Sequence, residues 1–172
     1  DVQEVVFFGG TPLGLGERFV ETQHFGSTAK YSEFMLKCLW PFIATDFVLV
    51  VQWDGFVANP AQWRDDFLAH DYIGAPWTWA HDQHRVGNGG FSLRSKRLIE
   101  ECMDVKVRRH PEIRFGGHED IVIGRLYRSY FEERGIRFAP VELAAAFSYE
   151  AGPLNYKPFG FHAAPNLPLF VS

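Results

Sequence analysis

Residues 49–57 read LVVQWDGFV, an apolar run that ends in a Gln-Trp-Asp-Gly turn. From Phe47 to Gln52 the chain has no charged residue, and its apolar side chains do not alternate with polar ones. Such continuity is typical of a strand with both faces covered, as in a parallel sheet. Ligands of open α/β sheets bind beyond the carboxyl ends of the strands, which is where Asp54 and Gly55 follow. The segment therefore predicts a parallel sheet with a ligand site at Asp54, unless Asp54 only caps the turn.

The rest of the chain alternates between strand and helix patterns. Apolar runs predict strands, and apolar residues at helical spacing after a capping or acidic residue predict helices. The predicted strands are 5–9, 71–76, 91–94 and 136–140; the predicted helices are 27–42, a short one within 59–70, one after Ser95 and one from Glu119 to Gly135. This alternation predicts a single α/β domain, 1–172, in which a mostly parallel mixed sheet forms a Rossmann-like three-layer sandwich. The tail from Tyr149 is predicted to be a packed loop.

Composition narrows the possible functions. The 172 residues are 47% hydrophobic and 22% charged, as in globular domains, and the net charge of −4 provides no basic surface for nucleic acid. The longest apolar stretch is interrupted by Pro41 and Asp46, so no membrane span is predicted. Only two cysteines are present, and free buried thiols are expected for both. These features predict a cytoplasmic protein.

Two further stretches favour a site over a simple turn at Asp54. GNGG, 87–90, puts three glycines before a predicted strand, and a loop without Cβ atoms can lie flat against a ligand, although a plain turn has the same composition. HEDIVIG, 118–124, places Glu119 and Asp120 at a helix start, where the helix dipole keeps a carboxylate ionised. Asp120 can then serve as a general base, or the pair can simply cap the helix.

Five segments in order resemble a microbial family of unknown function that is usually grouped with the glycosyltransferases. They are QWDGF (52–56), DYIGAPW (71–77), GNGGFSLRS (87–95), EDIVIG (119–124) and GIRFAPVELAAAFSYE (135–150). The resemblance spans roughly residues 31–162. The order of the glycine-rich and Glu-Asp segments is also similar to that of fringe-like proteins and β-1,3-galactosyltransferases.

The resemblance implies a GT-A-like fold and transfer of a sugar from a nucleotide-diphosphate sugar to an acceptor hydroxyl, with inversion. It implies that Mn²⁺ or Mg²⁺ is held by Asp54, the last acid of an Asp-x-Asp motif, and by His162. Gln52 replaces the first acid of that motif, so the metal site has one carboxylate fewer. It also implies that Asp120, of the Glu119–Asp120 pair, is the catalytic base.

Other residues are assigned to supporting roles under the same hypothesis. Candidate contacts to the donor are Gly55, Gly89, Gly90 and Phe91, with Arg94 or Lys157 near its diphosphate; candidate contacts to the substrate or a glycan acceptor are Asn88, Trp77 and Trp79. The tryptophans can equally belong to the core, the two cations to the surface, and His118 to a helix cap. GT-A proteins begin with a nucleotide-binding strand, which is either the 5–9 strand here or lies upstream.

Two other functions fit the same residues. Asp54, Asp120 and His162 could form a two-carboxylate, one-histidine metal site for hydrolysis or oxygenation. Alternatively, the domain could be a degenerate transferase that binds glycans without catalysis, as Gln52 and the short amino end suggest.

Overall fold

Short strands and helices make up the chain. The computed structural model describes residues 2–22, 25–154 and 157–170. Its strands are β1 (Val6–Gly9), β2 (Arg18–Glu21), β3 (Phe47–Val51), β4 (Phe56–Val57), β5 (Tyr72–Gly74), β6 (Phe91–Ser95), β7 (Ser148–Tyr149) and β8 (Gly160–Phe161). Its α-helices are α1 (Thr28–Lys37), α2 (Lys96–Glu101), α3 (Glu119–Ile121), α4 (Arg128–Glu133), α5 (Val141–Phe147) and α6 (Leu167–Phe170).

The sheet that contains the 47–51 run is antiparallel. Its strand order is β3-β6-β5, with Val51 of β3 opposite Phe91 of β6 and Gly74 of β5 opposite Ser92 of β6. The central strand β6 is buried along its whole length. Two other small sheets are present: a parallel pair, β1-β2, and a mixed sheet in the order β4-β8-β7.

The predicted Rossmann-like or GT-A-like sandwich with a mostly parallel sheet is therefore wrong. No large parallel sheet occurs in the ranges that the structure describes. Strands β3 and β5 run in the same direction, but β6 lies between them and is antiparallel to both. Parallel neighbours are usually joined by a helical crossover, whereas the 75–90 connection from β5 to β6 contains no helix. The predicted short helix within 59–70 is replaced by two 3₁₀ turns, Pro60–Gln62 and Asp65–Ala69. The predicted 136–140 strand is reduced to one parallel bridge, between Tyr72 and Phe138.

The continuous apolar run in β3 has another cause, because the strand packs against core residues on both faces while remaining only partly buried. Val48 and Val50 pack with Met35 of α1 and with Leu39, just after that helix, in a smaller core. Phe47 and Leu49, on the opposite face, pack against the main core, which contains β6, α4 and α5. Coverage on both sides was predicted correctly, but it does not determine strand direction.

Most locally encoded elements form close to the predicted places. Ser27 caps α1 by accepting a hydrogen bond from the Lys30 N–H, and the predicted 27–42 helix ends in a 3₁₀ turn, Trp40–Phe42. Ser95 caps α2 by accepting from the Leu98 N–H. The helix that starts at Glu119 is interrupted by a π-helical turn, Val122–Leu126, before α4.

The structure bears on the predictions about membrane-spanning helices and about the two cysteines. No helix in residues 2–22, 25–154 or 157–170 is long and apolar enough to cross a lipid bilayer. Both cysteines are free: Cys102 is buried, as expected, but Cys38 at the end of α1 is exposed. The tail contains β8 and α6 in addition to the expected loop.

Candidate functional site

Strand pairing brings Asp54 next to His162. Strands β4 and β8 are antiparallel, with Phe56 opposite Phe161, so the residues just before β4 lie across from those just after β8. Strand β7 runs parallel to β8 with Tyr149 opposite Phe161, which places Glu150 beside His162 on the other side. The two carboxylates therefore approach one imidazole from opposite directions.

Both ring nitrogens of His162 face oxygen atoms. Nδ1 lies 2.7 Å from Oε2 of Glu150, and Nε2 lies 3.1 Å from Oδ1 of Asp54 and 3.2 Å from Oε1 of Gln52. The side chains of His162 and Asp54 are only 14% and 16% exposed. Burial lowers the pKa of His162, but the hydrogen bond to Glu150 and the charges of Glu150 and Asp54 outweigh it, so the pKa is raised overall.

One oxygen of Asp54 lacks a well-formed hydrogen bond. Oδ2 accepts from the Ala164 N–H at 3.3 Å, whereas Oδ1 is buried and accepts none. Although Nε2 of His162 is close to Oδ1, the two groups are not aligned as a hydrogen bond, so the contact is one of proximity and charge. A buried, unsatisfied carboxylate oxygen indicates a partner that is added from outside the chain.

The segment after His162 is held in a strained conformation. Ala163 has φ 76°, in the region that favours glycine, and this turn directs the Ala164 N–H to Asp54. The buried Asn166 amide donates to the carbonyls of both Glu150 and His162 at 2.6 Å. These contacts fix the ends of β7 and β8 relative to each other.

The glycine-rich loop lies between the His162 cluster and the start of α3. A Cβ on Gly90 would collide with the imidazole of His162, and a Cβ on Gly89 would lie 2.6 Å from Oε1 of Glu119. The loop is tied to β3 because the Gln52 N–H donates to the Gly90 carbonyl at 2.8 Å. Oδ1 of Asn88 accepts from the Gly90 N–H at 2.9 Å, so this side chain shapes the loop itself.

Arg94 and Glu119 form a buried ion pair beneath this loop. Their side chains are 2% and 5% exposed, with Nη2 of Arg94 3.0 Å from Oε1 of Glu119. Arg94 also donates to the Gly89 carbonyl at 3.3 Å and to Oγ of Ser92 at 3.0 Å. Ser32 of α1 accepts from the Glu119 N–H at 3.2 Å and donates to its carboxylate. Through these contacts, Arg94 and Glu119 hold the glycine-rich loop in position.

Asp120 faces the loop from the other side. Its Oδ2 accepts from the Gly89 N–H at 3.3 Å, and its Oδ1 accepts from the Ile121 N–H at 2.8 Å. Burial and the neighbouring Glu119 charge raise the pKa of Asp120 to about 7, against the opposing effects of the two backbone N–H groups and Arg94. Because Gly89 contacts Asp120 and the adjacent Gly90 contacts His162, the two groups flank the same two-residue segment.

The tryptophans differ in their availability to a ligand. Trp77 is 7% exposed and packs with Ala80 and Ile121, whereas Trp79 is 51% exposed and has the guanidinium of Arg125 over its ring. Trp53, which was not singled out from the sequence, is 84% exposed between Gln52 and Asp54.

The remaining predicted residues are either buried in the protein or exposed on its surface. Phe91 is fully buried in the main core, where it meets Phe147 and Phe159. Gly55 is buried and donates its N–H to the Gln52 carbonyl, which closes the turn that carries Asp54. Lys157 and His118 are exposed, and His118 makes no side-chain cap to α3.

Two hollows lie away from this cluster. One of about 420 Å³ is lined by Arg64, His70 and Glu142 among others, and one of about 690 Å³ by residues of the 2–18 segment. Neither is lined by Asp54, Asp120 or His162. The candidate site is therefore defined by its polar groups and not by either of these hollows.

Asp54 and His162 are the residues that could hold a divalent cation, and they form a small set of ligands. Within the described ranges, no group of three or more His, Cys, Asp and Glu side chains is placed to hold a metal ion. The unsatisfied Oδ1 of Asp54 and the Nε2 of His162 can nevertheless act as neighbouring ligands, with the Gln52 oxygen beside them. Glu150 on Nδ1 is the outer carboxylate that metal-binding histidines commonly have. Mg²⁺ and Mn²⁺ need few protein ligands when substrate phosphates complete their coordination.

Several residues of this site could not be identified from a short sequence motif. Glu150 belongs to the FSYE end of a quoted segment, but its role depends on the pairing of β7 with β8. Ser32 and Tyr31 of α1 have only ordinary helical spacing in the sequence, and no motif marks them.

The structure defines a mixed α and β protein in which two small sheets meet at an acid–histidine cluster. A family model described as "Protein of unknown function (DUF5672)" matches residues 15–162, and the chain belongs to this family. Searches of curated proteins and of solved structures found no match.

Proposed function

We propose that this protein is a metal-dependent glycosyltransferase that moves a sugar from a nucleotide-diphosphate sugar to an acceptor hydroxyl with inversion. The main support is the convergence of Asp54 and His162 on one side of Gly89–Gly90 and Asp120 on the other. The sequence resemblance to glycosyltransferases supports the same assignment. The proposal does not depend on the GT-A fold, because these contacts come from the antiparallel and mixed sheets.

Asp54 and His162 would hold Mn²⁺ or Mg²⁺, with the Gln52 side-chain oxygen beside them. Bound there, the cation would neutralise charge on the departing nucleoside diphosphate. Glu150 keeps the imidazole oriented so that Nε2 faces Asp54. The chain has a net charge of −4, so a local cation would also favour binding of an anionic donor.

Asp120 would act as the general base. Its carboxylate takes the proton of the acceptor hydroxyl while that oxygen forms a bond to the anomeric carbon. The bond from the anomeric carbon to the diphosphate oxygen breaks in the same displacement, and the nucleoside diphosphate leaves with the electron pair. A pKa of about 7 suits a base that must be ionised near neutral pH and still accept a proton.

Glu119 and Arg94 take positioning roles in this scheme. Their ion pair is buried, and it holds the Gly89 carbonyl and the start of α3 in place. This assignment replaces the expected contact of Arg94 with the diphosphate and the direct catalytic role of Glu119. The exposed Lys157 remains a candidate for the diphosphate, and Trp79 for the acceptor.

The exposure of Trp53 favours a second candidate function, glycan binding without catalysis. An aromatic ring that is 84% exposed can stack on a sugar regardless of any reaction. The small number of metal ligands agrees with this alternative. A cytoplasmic location is proposed for either function, and the two unpaired cysteines support it.

Turnover of a sugar nucleotide distinguishes the two functions. The protein is incubated with UDP-glucose, UDP-galactose or GDP-mannose and Mn²⁺, and release of the nucleoside diphosphate is measured. We expect release with at least one donor, and a decrease of about 100-fold or more in Asp120→Asn, since general bases contribute at least that much. Asp66→Asn, an exposed carboxylate paired with Arg64, is the control and should keep full activity. Glycan binding without release from any donor would support the second function instead.

A further inference from the structure

The hydroxyl of Tyr31 is buried and has no hydrogen-bond partner. Tyr31 lies in the first turn of α1, and an edge-to-face contact with Phe25 supports its ring, with centroids 5.7 Å apart. A buried hydroxyl without a partner is unfavourable, and most such groups in folded proteins are paired. The exception therefore requires an explanation.

Helix α1 is fixed to the candidate site by the residue next to Tyr31. Ser32 is fully buried and exchanges hydrogen bonds with the Glu119 N–H and carboxylate. Because the two residues are adjacent, this anchor also sets the position of Tyr31. The backbone of α1 at Tyr31 is therefore held close to the start of α3.

The surroundings of the Tyr31 hydroxyl are the polar groups of the site. Burial raises its pKa, the charges of Glu119 and Asp120 add to this effect, and Arg94 and the Gln52 side chain oppose it. Gln52 is thus close to the hydroxyl, although the two are not aligned as a hydrogen bond. The hydroxyl stands between the end of β3, which leads to Asp54, and the acidic start of α3.

These surroundings also indicate what the hydroxyl can bind. Asp120 and Glu119 contribute two carboxylates, against one guanidinium group from Arg94. A phosphate would be repelled by this excess of negative charge, whereas the neutral hydroxyl of a sugar would not. A sugar hydroxyl can accept a hydrogen bond from the phenol and so satisfy it.

We propose that the Tyr31 hydroxyl, which lies near Gln52 and Asp120, donates a hydrogen bond to a hydroxyl group of the donor sugar. This role rests on the proposed function. Tyr31 is then a residue that distinguishes the sugar nucleotide from the nucleoside diphosphate alone. The sequence assigns it no role other than helical spacing.

Tyr31→Phe tests the proposal because it removes the hydroxyl and keeps the ring. Isothermal titration calorimetry in the presence of Mn²⁺ compares UDP-glucose, UDP-galactose and GDP-mannose with UDP and GDP. We expect the variant to bind the sugar nucleotide about 5- to 10-fold more weakly and to bind the nucleoside diphosphate as the wild type does. Its ligand-free stability should be unchanged or higher, since an unpartnered polar group is removed.

Tyr130→Phe is the matched control. Its hydroxyl donates to Asp104 at 2.5 Å, away from the site, so this variant should lose stability and keep its affinity for both ligands. Equal binding of the sugar nucleotide by Tyr31→Phe and wild type would overturn the proposal. So would an equal loss of affinity for both ligands, or a loss of ligand-free stability like that of Tyr130→Phe. Failure of the wild type to bind any sugar nucleotide would instead reject the proposed function, and this inference with it.

Discussion

The Nε2 atom of His162 lies 3.1 Å from the Oδ1 atom of Asp54. This proximity follows from the antiparallel pairing of β4 with β8, which joins the turn after β3 to the end of the chain. The imidazole also packs against Gly90, so the glycine-rich loop completes the same arrangement. Three separate parts of the chain, at Asp54, Gly90 and His162, therefore meet in one cluster.

Replacement of Gly90 by alanine should displace His162. The added Cβ would overlap the imidazole ring, which Glu150 holds from the other side. We expect the free energy of unfolding to fall by about 2 kcal/mol, as for other overpacked sites, and Mn²⁺ binding to be lost. Chemical denaturation and calorimetry measure the two effects. Gly10→Ala, where a Cβ would meet open space, is the control and should change stability by less than about 0.5 kcal/mol.

Neutralisation of Glu119 should destabilise the protein strongly. Glu119→Gln leaves the guanidinium of Arg94 buried without its carboxylate partner. Removal of one member of a buried ion pair typically costs about 3–5 kcal/mol. The control is Glu4→Gln, which removes an exposed pair with Arg18 and should cost less than about 1 kcal/mol. Equal costs in denaturation experiments would show that the buried pair does not support the loop.

Stability should depend on pH through Asp120. Because burial and the neighbouring Glu119 raise its pKa in the folded state, the folded protein keeps a proton that the unfolded chain releases between about pH 4 and pH 7. The stability that this proton contributes at low pH is lost as the pH rises through the folded-state value.

Asp120→Asn isolates this effect, because all other titrating groups are shared with the wild type. The free energy of unfolding of the wild type, relative to that of the variant, should fall by about 2–3 kcal/mol from about pH 5 to about pH 8. Denaturation at a series of pH values measures the difference. Parallel profiles for the two proteins would mean that the carboxyl group titrates normally and is not poised as a base.

Mutation of Glu150 should weaken metal binding without removing a ligand. Glu150→Gln keeps the shape of the side chain, but it removes the charge that orients and polarises His162 through Nδ1. Changes to such outer residues typically reduce metal affinity by about 10- to 100-fold. Titration with Mn²⁺ alone gives the affinity, and Glu142→Gln on the exposed side of α5 serves as the control. An unchanged affinity would show that Glu150 does not support His162 as a metal ligand.

Sequence patterns predicted the local features of the fold well. The strand at 47–51, the Ser95 cap and the helix start at Glu119 are all encoded by adjacent residues, and they form where expected. Strand direction was not predictable in the same way. A strand covered on both faces has the same continuous apolar sequence in an antiparallel sheet as in a parallel one, and β3 is such a case.

The candidate site was predictable only in part, because some of its residues come together through contacts between distant parts of the sequence. Asp54 and Asp120 stand at the ends of elements that the sequence marks, so their importance could be inferred. Glu150 and Tyr31 join them through pairing of distant strands and through packing of α1 on α3, for which no short pattern exists. The burial of Arg94 likewise depends on Glu119, which is far away in the sequence.

Metal-dependent binding of a donor is the central claim, and a thermal-shift experiment with wild type and Asp54→Ala tests it most directly. UDP-glucose, UDP-galactose and GDP-mannose are each added with and without Mn²⁺, with Asp66→Ala as the control variant. We expect at least one donor to raise the melting temperature of the wild type and of Asp66→Ala only when Mn²⁺ is present, and to leave that of Asp54→Ala unchanged. An equal, Mn²⁺-dependent rise in Asp54→Ala would contradict the account, as would the absence of any rise in the wild type.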